Sequence, residues 1–378
     1  MTKPSAASRT FTARRDFLRR SLWLALLPIW PAAARAWFAQ VMPGAGGPVI
    51  NVRDKGAKGD GSHDDTAAIQ AAIDALPASG GTVTIPSGTY MIDATRAINL
   101  RSNMLLQMAP DAQLTAIPNN LQRYHVIKVW QVSNVRITGG RIVGERNGHL
   151  GAGGEWGYGL NIEASNQVSV SDMHISDCWG DGIWVGALGP NFHAVPATQV
   201  MIDRVVSTNN RRQGMSIGPV DGVVVTNSTF SNTNGTKPEA GIDIEPQAQG
   251  PARNITIDHC VISSNHGTGM EMHDNVAGVV VKNCTIQGNA GYGVMTVGTA
   301  QVTVANNVIS SNGLTGVTIA GATDGAQVTG NKLIGNSARF FHRVASMFSS
   351  KSTDEENREL RVDDSTRGVT VSGNTFSS

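Results

Sequence analysis

Six segments of this chain keep one beat. Those beginning at Val168, Val200, Ile255, Val279 and Val302 open on V-x-V or a close variant and reach a glycine fourteen residues later, at Gly182, Gly214, Gly269, Gly293 and Gly316. The segment beginning at Val223 does the same with four extra residues, inserted around Gly235 to Pro238, before Gly241. After each glycine the order is apolar, variable, apolar: Ile183 and Val185, Met215 and Ile217, Ile242 and Ile244, Met270 and Met272, Val317 and Ile319. Gly293 departs only in carrying Thr296 at the second apolar place.

Alternation with period two over such short runs predicts strands with one buried face, separated by Asn-, Ser- and Gly-rich turns. A unit of roughly 23 residues holding two or three short strands cannot bury its own apolar face, so it must stack on its neighbours. The expected fold is all-β: a right-handed parallel β-helix with coils about 4.8 Å apart. Composition agrees, with 43 glycines and only 5% aromatic residues. Asn210, Asn265, Asn289 and Asn312 share one position before the glycines, where an inward amide ladder would satisfy turn backbone. Cys260 and Cys284 fall in one column of adjacent coils; with Cys178 they make an odd count, favouring stacked core thiols over a bridge.

A solenoid's ends expose strand edges that must be covered. Asp64 to Leu76 has apolar residues at helical spacing and is expected to cap the first coil. The motifs around it are distinctive. Asn51 to Tyr90, with its Asp-Lys-Gly-Ala-Lys-Gly-Asp-Gly opening, its D-D-T-x-A-I-Q helix and its G-G-T-V-x-I-P-x-G-x-Y exit, resembles the N-terminal region of the pectate lyase superfamily. That group includes polygalacturonase-like glycoside hydrolases, uronan epimerases and phage tailspikes, so the resemblance implies a β-helix acting on polysaccharide.

At the N-terminus, Arg14-Arg15-Asp16-Phe17-Leu18 followed by the apolar run Leu22 to Ile29 resembles a twin-arginine export signal, with Ala34-Arg35-Ala36 offering a cleavage site. The expected layout is a signal over residues 1–36, then one β-helix domain over 37–378. Within that domain the cap covers 49–92, the coils about 98–336, an excursion 337–366 and a last strand 367–378. The excursion carries Phe340 to Phe348, expected to cap the C-terminal end, and the charged run Asp354 to Asp364. Expected partners are the twin-arginine translocase and a poly- or oligosaccharide, with a periplasmic or secreted location. A net charge of +1 supplies no basic field for nucleic acid, and the apolar run is too short for a stable membrane span.

If the residues one and three after each glycine point inward, those two and four after it point outward. In chain order these are Asn161 and Glu163, Trp184 and Gly186, Ser216 and Gly218, Asp243 and Glu245, Glu271 and His273, then Met295 and Val297. Asp243 is thus expected directly beneath Glu271, and Glu245 beneath His273. Like charges on neighbouring strands repel, so such a cluster suggests a task. It would raise the pKa of one acid above the other, as acid/base cleavage of a glycosidic bond requires. Asp243 and Glu271 are the favoured catalytic pair, with Glu245 and His273 assisting. Arg211 and Arg212 are candidates for holding a uronate carboxylate. Trp184, Trp156 and Tyr158 are candidates for stacking on sugars, the last two in a Gly-rich loop, Gly151 to Gly159. Asp181 is a further acid beside the groove, and Glu145 and His149 approach it from the long early loop. No cofactor is required, although the same oxygens could take Ca²⁺.

Gly241-Ile242-Asp243 matches only the end of the polygalacturonase-like Asn-Thr-Asp-Gly-hydrophobic-Asp stretch; Ala240 stands at the earlier acid position. Asn265-His266-Gly267 approximates those enzymes' Gly-His-Gly, and Asp243-Ile-Glu245 is reminiscent of the epimerases' acidic cluster. The expected function is hydrolysis of glycosidic bonds in a polysaccharide, an acidic glycan being favoured. The alternatives are a uronan lyase or C5-epimerase, with or without calcium assistance, and a non-catalytic glycan-binding or structural β-helix.

Overall fold

The computed structural model describes residues 46–337 and 358–377. The expected export signal and the Phe340 to Phe348 segment lie outside them. Three long parallel sheets run the length of the described chain, two of twelve strands and one of ten. Each full coil contributes one strand to each sheet, as Ala252–Asp258, Val261–Ser263 and Met270–Met272 do in turn. This is the right-handed parallel β-helix that the repeat implies.

The V-x-V columns are the first sheet. Val168, Val200, Val223, Ile255, Val279 and Val302 pair successively in register, each no more than 1% exposed. The corner that follows needs a left-handed residue in every coil: Asp172, Arg204, Asn227, His259, Asn283 and Asn306 have φ between 51° and 59°. Short polar side chains tolerate that conformation, which explains why Asn and Asp dominate there.

The glycine column precedes the third sheet. A Cβ at Gly241 would come 2.7 Å from the carbonyl oxygen of Gly269 and 2.5 Å from Ile262 Cγ2, and Gly214, Gly269 and Gly293 each face the next glycine's carbonyl at 2.4 to 2.7 Å. Beside it runs the amide ladder, in which Asn265 Nδ2 donates to Asn289 Oδ1 at 2.8 Å, Asn289 to Asn312 at 2.9 Å and Asn312 to Asn336 at 2.8 Å. The ladder ends on the Glu359 carboxylate, which accepts from the Asn336 backbone N–H at 2.9 Å. Asn210 occupies the expected place with different partners, accepting from Cys178 N–H and donating to Ser207 Oγ. The three cysteines are free and buried, and Cys284 Sγ sits 3.4 Å from the Cys260 backbone nitrogen.

Three boundaries differ from the sequence reading. The cap helix covers only Thr66–Asp74, because Asp65 turns its carboxylate to the Lys58 and Gly59 N–H groups rather than to the helix. Trp156 and Tyr158 belong to the strand Trp156–Glu163, so the Gly-rich loop stops at Glu155; strand pairing to Arg123 and His125 claims their backbone. The excursion ends earlier too. Leu360–Val362 pairs in parallel with Val317–Ile319 and so belongs to the last coil, whose other strands are Thr370–Ser372 and Thr375–Ser377. No described helix is long and apolar enough to cross a membrane.

Candidate functional site

The outward face of the third sheet carries the site. Ile242, Ile244, Met270 and Met272 are fully buried, which forces the alternate residues to the other face. One column then reads Asn161, Trp184, Ser216, Asp243, Glu271 and Met295, each paired with the next. The expected juxtaposition of Asp243 and Glu271 is therefore present.

Asp243 is held from both sides. Gln213 Oε1 accepts the Ala240 N–H at 3.0 Å, which turns Nε2 to donate to Asp243 Oδ2 at 2.7 Å. The other oxygen, Oδ1, lies 3.3 Å from His273 Nε2. His273 thus crosses to Asp243 rather than stacking over Glu245, and the expected Glu245–His273 pairing is not formed. Opposite charge favours the diagonal contact. His273 is pushed up to about 9, chiefly by Asp243, with Glu271 and Glu245 adding to the effect. Glu271 is pushed up to about 7 by burial first and by the Asp243 charge second, while His273 pulls it back. Asp243 and Glu271 are 1% and 6% exposed, whereas the His273 side chain is 34% exposed. Of these three the imidazole meets solvent most, and the two carboxyl groups expected to point outward are covered.

One oxygen of each carboxylate and one His273 nitrogen lie within 4.8 Å of one another, close enough to share a cation. Calcium prefers six to eight oxygen ligands. A set that includes an imidazole, already in contact with Asp243, suits a nitrogen-binding divalent ion better than calcium.

Next to this cluster, across the coils that precede it, lies a cleft of about 580 Å³. Arg123, Glu155, Trp156, Tyr158, Glu163, Trp184, Arg212 and Glu245 line it, with Leu188, Gly189 and Asn191 from the loop after Gly186. Trp184 and Trp156 both line the cleft, Trp156 from a strand rather than from the expected Gly-rich loop. Tyr158 is 3% exposed, its ring between those of Trp184, at 5.7 Å, and His125, at 5.5 Å; it supports the floor more than it offers a face.

Four other sequence candidates change role. Asp181 is fully buried and binds Arg212 Nη1 at 3.1 Å and Ser216 Oγ at 2.8 Å; burial pushes it up to about 6 against those partners. It positions Arg212. Arg211 stacks on Trp179 at 3.8 Å and donates to the carbonyls of Gly154 and Trp179, so it ties two loops together. Glu145 and His149 form a buried pair at 2.9 Å, joined by the Tyr124 hydroxyl and covered by Trp179. Sequence reasoning missed Arg123 and Gln213. Arg123 precedes the aligned repeats, and Gln213 stands immediately before a repeat glycine, a column that holds no consistent residue type.

Residues 115–244 and 192–378 match the family described as "Right handed beta helix region". Residues 49–116 match "Rhamnogalacturonase A/epimerase, pectate lyase-like". The chain belongs to this β-helix family, within the pectate lyase superfamily. Among curated proteins, the uncharacterized YclG of Bacillus subtilis is 30% identical over 318 residues, covering 76% of this chain and 54% of that protein. Mannuronan C5-epimerase AlgE3 of Azotobacter vinelandii is 49% identical over 63 residues, covering 15% of this chain and 3% of that protein. Among solved structures, the A-module of mannuronan C-5 epimerase AlgE6 from Azotobacter vinelandii superposes with a TM-score of 0.62 at 20% identity, covering 87% of this chain and 91% of that module. The last likeness is one of fold. The chain spans about half the length of YclG.

Proposed function

We propose that this protein is an exported carbohydrate-active enzyme that cleaves glycosidic bonds of a polysaccharide by hydrolysis at Asp243 and Glu271. Export rests on the Arg14-Arg15 motif and the apolar run after it. The observation that carries the reaction is the unequal treatment of two adjacent carboxyl groups. Asp243 accepts the Gln213 N–H and contacts the His273 ring, which are partners for a carboxylate; Glu271, pushed up to about 7, keeps its proton below that pH. Glu271 then protonates the departing glycosidic oxygen while Asp243 faces the anomeric carbon, whose bond to that oxygen breaks. Water completes the cleavage and returns the proton to Glu271.

Charge favours this assignment. The Asp243 carboxylate beside the reacting carbon stabilises an oxocarbenium-like transition state, which is positive. Around it the remaining charges are mixed: Glu155, Glu163 and Glu245 stand with Arg123, Lys128, Arg212 and His273. Arg211 and Arg212, the two arginines expected to hold a uronate carboxylate, are both already engaged.

A second reading, elimination or epimerisation at C5 of a uronate, draws on the exposure of His273 and on the short match to a mannuronan C5-epimerase. In that chemistry Glu271 must be ionised to take the C5 proton. The two readings therefore differ in sign: hydrolysis is lost as pH rises through about 7, and elimination or epimerisation is gained. New reducing ends without ultraviolet absorbance, released from a polysaccharide panel and declining above pH 7, are the expected result. Unsaturated ends, or activity that climbs across pH 7, would overturn hydrolysis.

A further inference from the structure

Beside the Asp243 cluster, the cleft is built around one indole. Trp184 projects from its strand over two coils whose equivalent positions are Gly186 and Gly218. A Cβ at Gly218 would come 3.1 Å from the Trp184 ring, and one at Gly186 would come 2.9 Å from its nitrogen. The two missing side chains are what let the ring lie along the sheet. Tyr158 supports it from the preceding coil at 5.7 Å and 28°. The result is an apolar platform in a trough that mixes Trp156 and Leu188 with charged side chains.

The polar lining has a definite bias. Of the two cleft guanidiniums, Arg212 is matched by Asp181 at 3.1 Å and Glu155 at 3.5 Å, while Arg123, 5.0 Å over the Trp156 ring, keeps its charge and balances part of Glu163. Glu155, Glu163 and Glu245 line the same trough. Carboxylates accept hydrogen bonds from hydroxyl groups and repel other carboxylates. A flat apolar ring surrounded by acceptors suits the C–H face and hydroxyls of a pyranose, and it resists a run of uronates.

We propose that this cleft is a binding site for uncharged sugar residues, with Trp184 as its stacking floor and Glu155, Glu163 and Glu245 as hydroxyl acceptors. The inference rests on the reading that the protein acts on polysaccharide, and it sets the substrate class. A volume of about 580 Å³ lies within the range of roughly 300–1,000 Å³ usual for small-molecule sites. Trp184 and Asp243 are two coil steps apart through Ser216, roughly 10 Å at the coil spacing. The platform therefore holds sugars one or two units from the reacting bond, and a substrate must extend toward the N-terminal coils to use it. The polymer that fits carries neutral residues on that side, unlike a homopolymer of uronic acid.

The test is binding to the full-length Glu271→Gln variant, which holds substrate without turning it over. Neutral oligosaccharides (gluco-, manno- and galacto-series of two to six units) and oligouronates of equal length are titrated, read by calorimetry and tryptophan fluorescence. The expected outcome is that one neutral series binds at least tenfold more tightly than any oligouronate, and that Trp184→Ala weakens it at least tenfold while Trp184→Phe recovers part of the loss. Circular dichroism of both Trp184 variants reports whether the coils are intact. Tighter binding of oligouronates, no binding of any neutral series, or neutral binding indifferent to Trp184 in a folded variant would overturn the proposal. Neutral sugars that bind through Trp184 to a wild-type protein releasing no reducing ends would instead refute the hydrolytic function and leave this site standing.

Discussion

Replacing Glu271 by Gln should abolish turnover and yet stabilise the protein in alkali. Glu271 rises from 4.5 to about 7 on folding, mainly because burial disfavours its charged form and Asp243 adds repulsion. An acid whose folded pKa is raised binds its proton more tightly when folded, so its contribution is fully present below about 4.5 and is lost as pH rises through 7. Each pH unit spent between the two values costs about 1.4 kcal/mol, so between pH 5 and pH 8 the wild type should lose roughly 2–3 kcal/mol on this account. A neutral amide of the same shape does not titrate. Urea unfolding followed by tryptophan fluorescence at pH 5 and pH 8 should show the Glu271→Gln midpoint moving up relative to wild type as pH increases. The loss of the Glu271 charge beside His273 offsets part of the gain, which makes 2–3 kcal/mol an upper figure. A variant less stable than wild type at pH 8, or a difference equal at the two pH values, would show that Glu271 is not held protonated and would remove the general acid from the proposed hydrolysis.

Asp243→Asn should lower turnover by at least about a hundredfold and bring the His273 pKa down from about 9, since Asp243 is the main cause of its rise; an NMR titration of the imidazole checks the second effect without any substrate. Arg212→Leu leaves the fully buried Asp181 without its cation, and should cost roughly 3 kcal/mol or more at pH 8 with a smaller loss at pH 5, where Asp181 can take a proton; thermal melts at the two pH values compare them. Gly241→Ala should lower the melting temperature sharply, because the added Cβ would meet the Gly269 carbonyl at 2.7 Å and Ile262 at 2.5 Å, and backbone in a neighbouring coil cannot move alone.

The coil architecture was legible because it is periodic. A column of valines, a column of glycines and a column of asparagines each answer one local requirement, and the requirement recurs in every coil. Alternation then placed Asp243 against Glu271 without further information. Side-chain direction was not legible in the same way. Glu245 and His273 fall just beyond the paired strands Ile242–Ile244 and Met270–Met272, where the alternation no longer fixes side-chain direction, and the imidazole lies against Asp243 instead. Arg211 and Asp181 were misplaced for a related reason. Their partners, Trp179 and Gly154 in one case and Arg212 and Ser216 in the other, come from other coils, and no spacing rule on a single coil reveals them. Arg123 lay in a coil where the repeat had not yet become regular enough to align.

The fold explains why the acid/base cluster and the aromatic platform can sit side by side without disturbing each other. In a solenoid each coil touches chiefly its immediate neighbours, so an unfavourable cluster in one pair of coils draws little on the rest of the molecule. Asp243 and Glu271 occupy such a pair, while the indole of Trp184 spans the two coils before it over glycines that give it room. Between them stands Ser216, whose hydroxyl donates to Asp181 and so fixes the acid that positions Arg212. A large residue at 216, a buried position, would displace Asp181 and with it Arg212. Ser216→Ala, which removes only the hydroxyl, should leave the groove open and change sugar binding less than any substitution at Trp184. That contrast follows if Ser216 acts on the cleft only through Asp181 and Arg212 while Trp184 stacks on the sugar itself, and equal losses at the two positions would mean that the cleft acts as one rigid unit instead.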